Sequence, residues 1–512
     1  MRPLEHALVR NALFGGGGRL LTLAVGLVLT PYLVHRLGTT GFGVWALVAV
    51  VTGFAGLLDP ALRASLVKHL AEADARGDRA ERDAVVTSAL VCYLPLAGAV
   101  VAGFFPLRAP LLGWLQLPPE LHSEAGQAFL LGLLGLAASW VLGIFPAVVD
   151  ARQRMDLTNA LGVVCLLLTA ALTVAAVERG LGVRGVAAAQ LAGVVVFHLG
   201  TVPLAWWVAG PLRVAPDTVD RRTLGRVVRF GLTLQVSTAC TIVNRQLDKV
   251  LLSRVAGLAT VASYEIGARV VANAGSLHPF LTAALLPAAS HLQAQGDAAR
   301  LREVYHRASR YLFAVGIPPF FFLALHASAV VTAWLGRPDP LAAAVLMVLA
   351  GGYLVNASSN AMAFVCQGIG RADIQARQSA LQLVANLVLS VLLLWWLGPL
   401  GAPLGTTLAL IAGAAFFAVR FHPLIGTTTA ALLRREALGT VVAATIGGAA
   451  SSMVAAAFAS DSRGMALLEL LAAGAVFGAI HVALSLAMGV VGRDDFGRLV
   501  AALRRPHRGD VR

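Results

Sequence analysis

The stretch NRQLDKVLLSRV (244–255) sets Arg245, Asp248 and Lys249 close together after fifteen uncharged positions, 230–244. Guanidinium and ammonium groups bind anionic oxygens, arginine through a planar fork and lysine as a point charge. A charged side chain at the centre of a crossing costs about 2.5–3.5 kcal/mol on insertion scales, so a group kept there has work to do. A second cation, Arg19, lies in the first apolar run, and each of the two falls on a polar stripe. Asn11, Gly15, Arg19, Thr22, Gly26 and Thr30 recur at steps of three and four, as do Gln235, Thr238, Thr241, Arg245 and Asp248. Such spacing keeps a set on one helix face. Arg19, Arg245 and Lys249 are therefore candidate anion-binding groups, and Asn11, Thr22, Gln235, Thr238 and Thr241 a candidate polar lining. For the threonines and the asparagine, plain helix–helix hydrogen bonding is the competing reading. Asp248 is read first as the partner that neutralises Arg245 or Lys249, with cation coupling as the alternative.

Other polar groups read more simply. Glu265 and Arg269, and likewise Asp59 and Arg63, stand four apart and are expected to neutralise one another. His198, His278 and His481 are expected to be hydrogen-bonded core histidines, with proton carriage as the alternative. GLGVRG (180–185) has the form of a dinucleotide-binding loop but joins two apolar runs, where a tight turn is expected. GGGG (15–18) lacks the lysine of a phosphate loop and reads as a close helix approach. NAS (356–358) is a glycosylation sequon inside an apolar run. No nucleophile with a base and no metal-ligand spacing is apparent, so neither a catalytic site, a metal nor a cofactor is expected. Cys92, Cys165, Cys240 and Cys366 all lie in apolar runs without CxxC spacing, which points to no disulfide.

The elements that must hold these residues follow from composition. The chain has 512 residues, 58% hydrophobic and 13% charged, with a mean hydropathy of +0.78. Soluble domains are about 25% charged. Apolar runs long enough to cross a bilayer recur along the whole length, giving about fourteen transmembrane helices in an all-α polytopic membrane protein. Their expected limits are 12–34, 41–64, 85–106, 125–149, 157–178, 186–209, 230–253, 258–290, 311–333, 341–367, 378–397, 401–419, 437–459 and 464–490. The eighth is long and carries Pro279 and Pro287, so a kink or an interfacial segment is expected there. MRPLEHALVRN opens the chain without the form of a cleavable leader.

Counted against those limits, 28 Lys and Arg fall on the side of the first residues and 7 on the other. Short cytoplasmic loops are rich in Lys and Arg, so both termini are expected in the cytoplasm. The net charge of +14 thus points to lipid headgroups and not to nucleic acid. All but two of the 40 basic residues, Lys68 and Lys249, are arginine.

Loop motifs also repeat in order. LVKHLAEADARGD (66–78) is echoed by ASHLQAQGD (289–297), RMDLTNA (154–160) by RADIQAR (371–377), and LGVRGVAAAQLAG (181–193) by LGPLGAPLGTTLALIAG (397–413). The echoes lie six helices apart, an even number, so two six-helix lobes should be related by a pseudo-twofold axis along the membrane normal. The expected divisions are an N-terminal lobe over 1–210, a cytoplasmic linker over 211–229, a C-terminal lobe over 230–421, a helix pair within 422–490, and a basic cytoplasmic tail over 491–512.

In TPYLVHRLGTTGFGVWAL (30–47), LDKVLLSRVAGLATVASYEIGARV (247–270) and LLPAASHLQAQGD (285–297), the chain resembles the multidrug/oligosaccharidyl-lipid/polysaccharide exporter superfamily, and most of all its polysaccharide-transport, Wzx-like branch. Leu-Gly followed by an aromatic opens the second helix of each lobe, as Gly38 with Phe42 and Gly257 with Tyr264 do here. The long acidic and arginine motifs of lipid II flippases, and the helix-1 aspartate of prokaryotic multidrug exporters, are not recognisable. The resemblance implies a flippase of the bacterial inner membrane, working by alternating access on an undecaprenyl-diphosphate-linked sugar unit for O-antigen, capsule or exopolysaccharide. It implies membrane lipids, a polysaccharide polymerase and glycosyltransferases as partners. It also implies that the last two helices, appended beside the lobes, form a groove for a polyprenyl tail, with plain structural padding as the alternative. A cation-coupled multidrug exporter and a non-transporting scaffold of envelope synthesis are the alternatives. A drug-cation exporter calls for an acidic cavity, whereas Arg19, Arg245, Asp248 and Lys249 sum to a net positive charge suited to a diphosphate.

The charge asymmetry makes a topological prediction. A reporter fused after Arg512 should read as cytoplasmic, and one placed in ASDSRG (459–464) as periplasmic. The same compartment for both would rule out fourteen crossings.

Overall fold

A computed structural model describes residues 2–59, 62–215, 218–276, 285–458 and 462–490. Within them all regular structure is helical. Among the described residues, eleven helical stretches are long and apolar enough to cross a membrane. Three of these, Gly17–Leu58, Ala239–Gly275 and Ala372–Ile425, are each divided in two by a break, which gives fourteen apolar helical segments among the described residues. The breaks within them fall at Gly38 (φ 70°), Gly257 (φ 81°) and Gly398 (φ 63°). Only a residue without Cβ enters that left-handed region cheaply, so a glycine lets an outgoing helix turn back with no loop.

The chain forms two compact units, Met1–Ala262 and Ser263–Arg512. The first holds α1 (Arg2–Ala55, bent at Gly38), α2 (Leu62–Arg76), α3 (Arg79–Trp114), α4 (His122–Leu142), α5 (Ile144–Ala151), α6 (Met155–Glu178), α7 (Gly182–Ala209) and most of α8 (Arg221–Gly275). Its core joins Leu66 and Leu70 of α2, Val85 and Tyr93 of α3, Trp140 of α4, Val148 of α5, Ala205 of α7 and Val227 of α8. Tyr93 stacks on Trp140 with centroids 6.2 Å apart. The second unit holds α9 (Leu285–Ala294), α10 (Ala298–Leu325), α11 (Ala327–Leu335), α12 (Pro340–Gly368), α13 (Ala372–Leu397), α14 (Gly401–Phe421), α15 (Thr429–Leu432), α16 (Leu438–Ala455) and α17 (Arg463–Ala487). Tyr305, Phe313, Met362, Phe417 and Phe421 centre its core. The final helix pair packs into this unit: a Cβ at Gly448 would strike Leu325 and Phe321, and His326 Nε2 lies 3.0 Å from Ser451 Oγ.

The backbone carries the repeat more sharply than the side chains do. Left-handed residues occur at Gly38 and Gly257, Gly77 and Gly296, Gln153 and Gly370, Gly180 and Gly398, and Gly210 and Gly426, each pair 216–219 positions apart. Asp78 and Asp297 follow the same spacing, and each caps the next helix by accepting a backbone N–H, from Glu81 and from Arg300.

Helix limits depart from expectation at several places: the third helix extends to Trp114, and the runs expected over 125–149 and 311–333 are each divided, at Gly143 and at His326. The second crossing ends at Leu58 and not at 64, because Asp59, held extended before Pro60 (ψ 118°), closes it. In the run over 258–290, where a kink or an interfacial segment is expected, α8 ends at Gly275 and α9 spans Leu285–Ala294, with Pro279 and His278 outside the described residues. The turn expected at 180–185 is present, with Gly180 and Gly182 both at positive φ.

Close helix approach sets the hairpin of α13 and α14. Ser390 Oγ donates to Asn386 Oδ1 (2.7 Å) and lies 3.1 Å from Ala402 O, and a Cβ on Gly405 would fall onto the Ser390 backbone. Gly405→Ala should therefore destabilise the protein by about 1–3 kcal/mol, the usual cost of overpacking. Gly26→Ala, with nothing within 4 Å of the added carbon, should not. Thermal melting of the two purified variants checks the contrast; equal melting temperatures would contradict it.

Candidate functional site

The two polar stripes lie on α1 and α8, both within the first unit. On α1, Arg19 and Thr22 are exposed and Thr30 is buried. Both hydroxyls donate to their own helix: Thr22 Oγ1 to Gly18 O (2.9 Å) and Thr30 Oγ1 to Gly26 O (2.7 Å). This satisfies them locally. The side chain of Asn11 lies outside the described residues, as does that of Thr238.

On α8 the charges separate. Arg245 and Thr241 are exposed, whereas Asp248 and Lys249 are 1% and 6% exposed. Arg245 makes no hydrogen bond or ion pair among the described residues. A step of three along the helix carries Asp248 round toward the packed side, and Lys249 follows it. Gln235 is buried, and its Nε2 donates to Leu57 O (3.0 Å) at the end of the second crossing. Gln246 packs where a Cβ on Gly53 would stand 2.8 Å from its Nε2.

These bonds form part of a series that fastens α8 to its neighbours before its bend at Gly257. Near its start, Ser65 Oγ donates to Val227 O (2.8 Å) between two fully buried residues. Arg226 Nη2 donates to Glu81 Oε1 (3.0 Å), while the other Glu81 oxygen takes Arg76. Asp220 caps the helix, accepting from the Thr223 hydroxyl (2.8 Å) and amide (2.9 Å) and the Arg222 amide (3.2 Å). These donors hold its carboxyl below the usual range. Farther along, Arg254 Nη1 donates to Trp114 O (2.8 Å) with its guanidinium over the indole. Position in the repeat pairs α8 with α1, but its bonds tie its first half to the first unit.

Sequence reasoning missed most of that fastening. Arg82, placed in a loop by charge counting, is 5% exposed and donates to Ala209 O (2.7 Å), Pro211 O (2.9 Å) and Asp83. It binds the chain as it leaves α7. Arg63 pairs with Asp150 (3.2 Å), which also accepts from Thr158 (2.8 Å), and Asp59 accepts from Tyr93 (2.9 Å). Ion-pair partners so distant in sequence leave no local trace. The Glu265–Arg269 pair forms as spacing implied, at 2.8 Å. His198 is buried with Nδ1 2.8 Å from Val194 O, and His481 lies 3.4 Å from Ser485 Oγ. Among the described residues, no three His, Cys, Asp or Glu side chains assemble as a metal site.

Comparison with known proteins follows the same lines. The chain is 21% identical to the "Putative O-antigen transporter" of Shigella flexneri over 414 residues, covering 80% of this chain and 96% of that protein. It is 20% identical to a "Probable low-salt glycan biosynthesis flippase" of Haloferax volcanii over 401 residues, 78% of each chain. Among solved structures, a lipid II flippase in an inward closed conformation superposes with a TM-score of 0.72 at 12% identity, covering 93% of this chain and 99% of that one. An inward-facing multidrug resistance transporter of the MATE family superposes with a TM-score of 0.63 at 16% identity, covering 84% and 99%. At such identities these two establish the fold alone. The sequence pattern described as polysaccharide biosynthesis protein matches residues 8–293, more than half the chain, and the protein belongs to that family.

Proposed function

We propose that this protein is a flippase for a lipid-linked oligosaccharide, an undecaprenyl-diphosphate-sugar unit destined for a surface polysaccharide. The bacterial inner membrane, with both termini cytoplasmic, is the setting this reading requires. The observation that carries it is Arg245, an exposed guanidinium in the middle of a crossing, without an ion pair among the described residues. Facing hydrocarbon it would cost about 2.5–3.5 kcal/mol. Facing a water-filled path it costs little and offers a fork for phosphate oxygens. Arg19 adds a second exposed cation on α1. Behind Arg245, the buried Asp248 and Lys249 are equal and opposite in charge, so the exposed charge is that of the two arginines. Gln235, Thr241, Thr22, Asn11 and Thr238 supply the polar lining in this reading. Export of a drug cation has no such use for arginine. A polymerase and glycosyltransferases are the partners that would consume and supply the cargo.

Alternating access is the mechanism this reading adopts, with the two six-helix lobes over 1–210 and 230–421 as the moving parts and 211–229 as their link. The fastening of α8 supports it. Three bonds secure its first half: Ser65 to Val227, Glu81 to Arg226, and Gln235 to Leu57. Each such bond is worth about 1 kcal/mol. A latch of a few kcal/mol is strong enough to bias one state and weak enough for bound cargo to release.

Charge reversal tests the site. Arg19→Glu and Arg245→Glu should each abolish glycan export, and Arg→Lys at either position should keep part of it, since charge survives without the fork. Surface glycan in a deletion strain complemented with each variant, normalised to protein level, gives the measurement. Normal glycan from both reversals would reduce these arginines to structural roles.

Labelling tests the latch. Ser65 is fully buried, so Ser65→Cys, in a background with the native cysteines replaced by alanine, should react slowly with a water-soluble maleimide. Glu81→Gln, which removes the ion pair with Arg226, should speed labelling several-fold. An unchanged rate would show that the first half of α8 does not open there.

A further inference from the structure

Several exposed arginines here have an acidic partner: Arg36 has Glu178, Arg152 has Asp74, Arg307 has Glu303, and Arg371 has Asp373. Arg434 and Arg435 do not. Both are exposed, and among the described residues neither side chain makes a hydrogen bond or ion pair. The acid next to them, Glu436, is 3% exposed and already engaged through both oxygens. One oxygen accepts from Arg310 Nε (2.6 Å) and the other lies 3.1 Å from His306 Nδ1, whose Nε2 meets Thr427 Oγ1 (2.9 Å). A π turn, Leu433–Ala437, produces this split. Its wider turn, closed by i→i+5 bonds, sets Glu436 inward against α10 and leaves two consecutive arginines outside.

Their surroundings are apolar. Leu433 and Leu438, on either side of the pair, are 49% and 52% exposed. The apolar stretch that contains them runs from Thr429 to Phe458. At 1.5 Å per residue, Arg434 and Arg435 stand about 8 Å inside its first residue, at headgroup depth. Two uncompensated guanidinium groups between exposed leucines complement a molecule with one anionic phosphate and hydrocarbon chains.

We propose that Arg434 and Arg435 form a docking site for an anionic membrane phospholipid, held in place by the inward anchor of Glu436. Membrane phospholipid surrounds this surface at bilayer concentration and fills such a site before a scarcer lipid does. Each basic residue beside an anionic lipid surface contributes several-fold to affinity, so the pair should give at least about a tenfold preference.

The test uses the full-length protein exchanged into an equimolar mixture of phosphatidylglycerol and phosphatidylcholine, with retained lipid counted by native mass spectrometry. The unmodified protein should retain phosphatidylglycerol about tenfold over phosphatidylcholine. The double substitution Arg434→Gln with Arg435→Gln should cut that preference to within about twofold, and Arg434→Lys with Arg435→Lys should keep most of it. Arg221→Gln with Arg222→Gln removes two neighbouring arginines elsewhere and should leave it intact. An equal loss from that control pair would mean diffuse surface charge only and would overturn the site, as would full preference after Arg434→Gln with Arg435→Gln. Displacement of phosphatidylglycerol by a lower concentration of geranylgeranyl diphosphate would assign the patch to a lipid diphosphate instead, and would equally overturn it.

Discussion

The cost of leaving a charge unpaired in a low-dielectric medium governs where the ionisable side chains of this protein lie. Hydrocarbon offers no hydrogen bonds and little dielectric relief, so a charged group within a crossing must be paired, buried among polar partners, or set against water. Glu265 takes the first course, pairing with Arg269 along one helix turn. Glu436 takes the second, buried beneath Arg310 and His306. Arg245, exposed on α8, is left the third, and water at that depth is what the proposed path through the membrane supplies.

The same cost explains why the repeat is clearer in the backbone than in the side chains. Turns at crossing ends must satisfy their backbone groups within a few residues, which favours left-handed positions such as Gly38 and Gly257, Gly77 and Gly296. Those positions cannot drift without exposing polar backbone. Lipid-facing side chains need only be apolar. Trp395 and Trp396, 84% and 87% exposed, occupy the last turn of α13, where amphipathic rings suit the interface, yet nothing about packing requires that pair.

This difference decides what the sequence could disclose. Runs of apolar residues, turn glycines, the Asp78 and Asp297 caps and the Glu265–Arg269 spacing are local signals, and the fourteen crossings followed from them. The stripes containing Arg19 and Arg245 were legible because a helix converts steps of three and four into a face. The opposite fates of Arg245 and Lys249 were not, because residues four apart lie only about 40° apart round a helix, and where the packed face begins depends on neighbours distant in sequence. Ser65 and Val227 are 162 positions apart, and Arg82 and Ala209 are 127 apart. No periodicity links such partners. Arg82 therefore looked like one more loop cation until its carbonyl partners were seen.

Transport of a diphosphate has to be specific without being tight. A cavity lined by many fixed cations would hold a diphosphate strongly and release it slowly, since binding energy common to every state does not speed a cycle. Here Asp248 and Lys249 are buried with opposite charges, Thr22 spends its hydroxyl on its own helix, and two exposed arginines stand on different helices of one unit. Two guanidinium groups match the charge of a diphosphate when both reach it and hold it weakly when one does not. In the proposed cycle, relative movement of α1 and α8 then alters affinity directly, and the latch at Ser65, Glu81 and Leu57 acts on the helix that carries Arg245. In that proposed cycle, coupling between cargo and conformation runs through the shared helix.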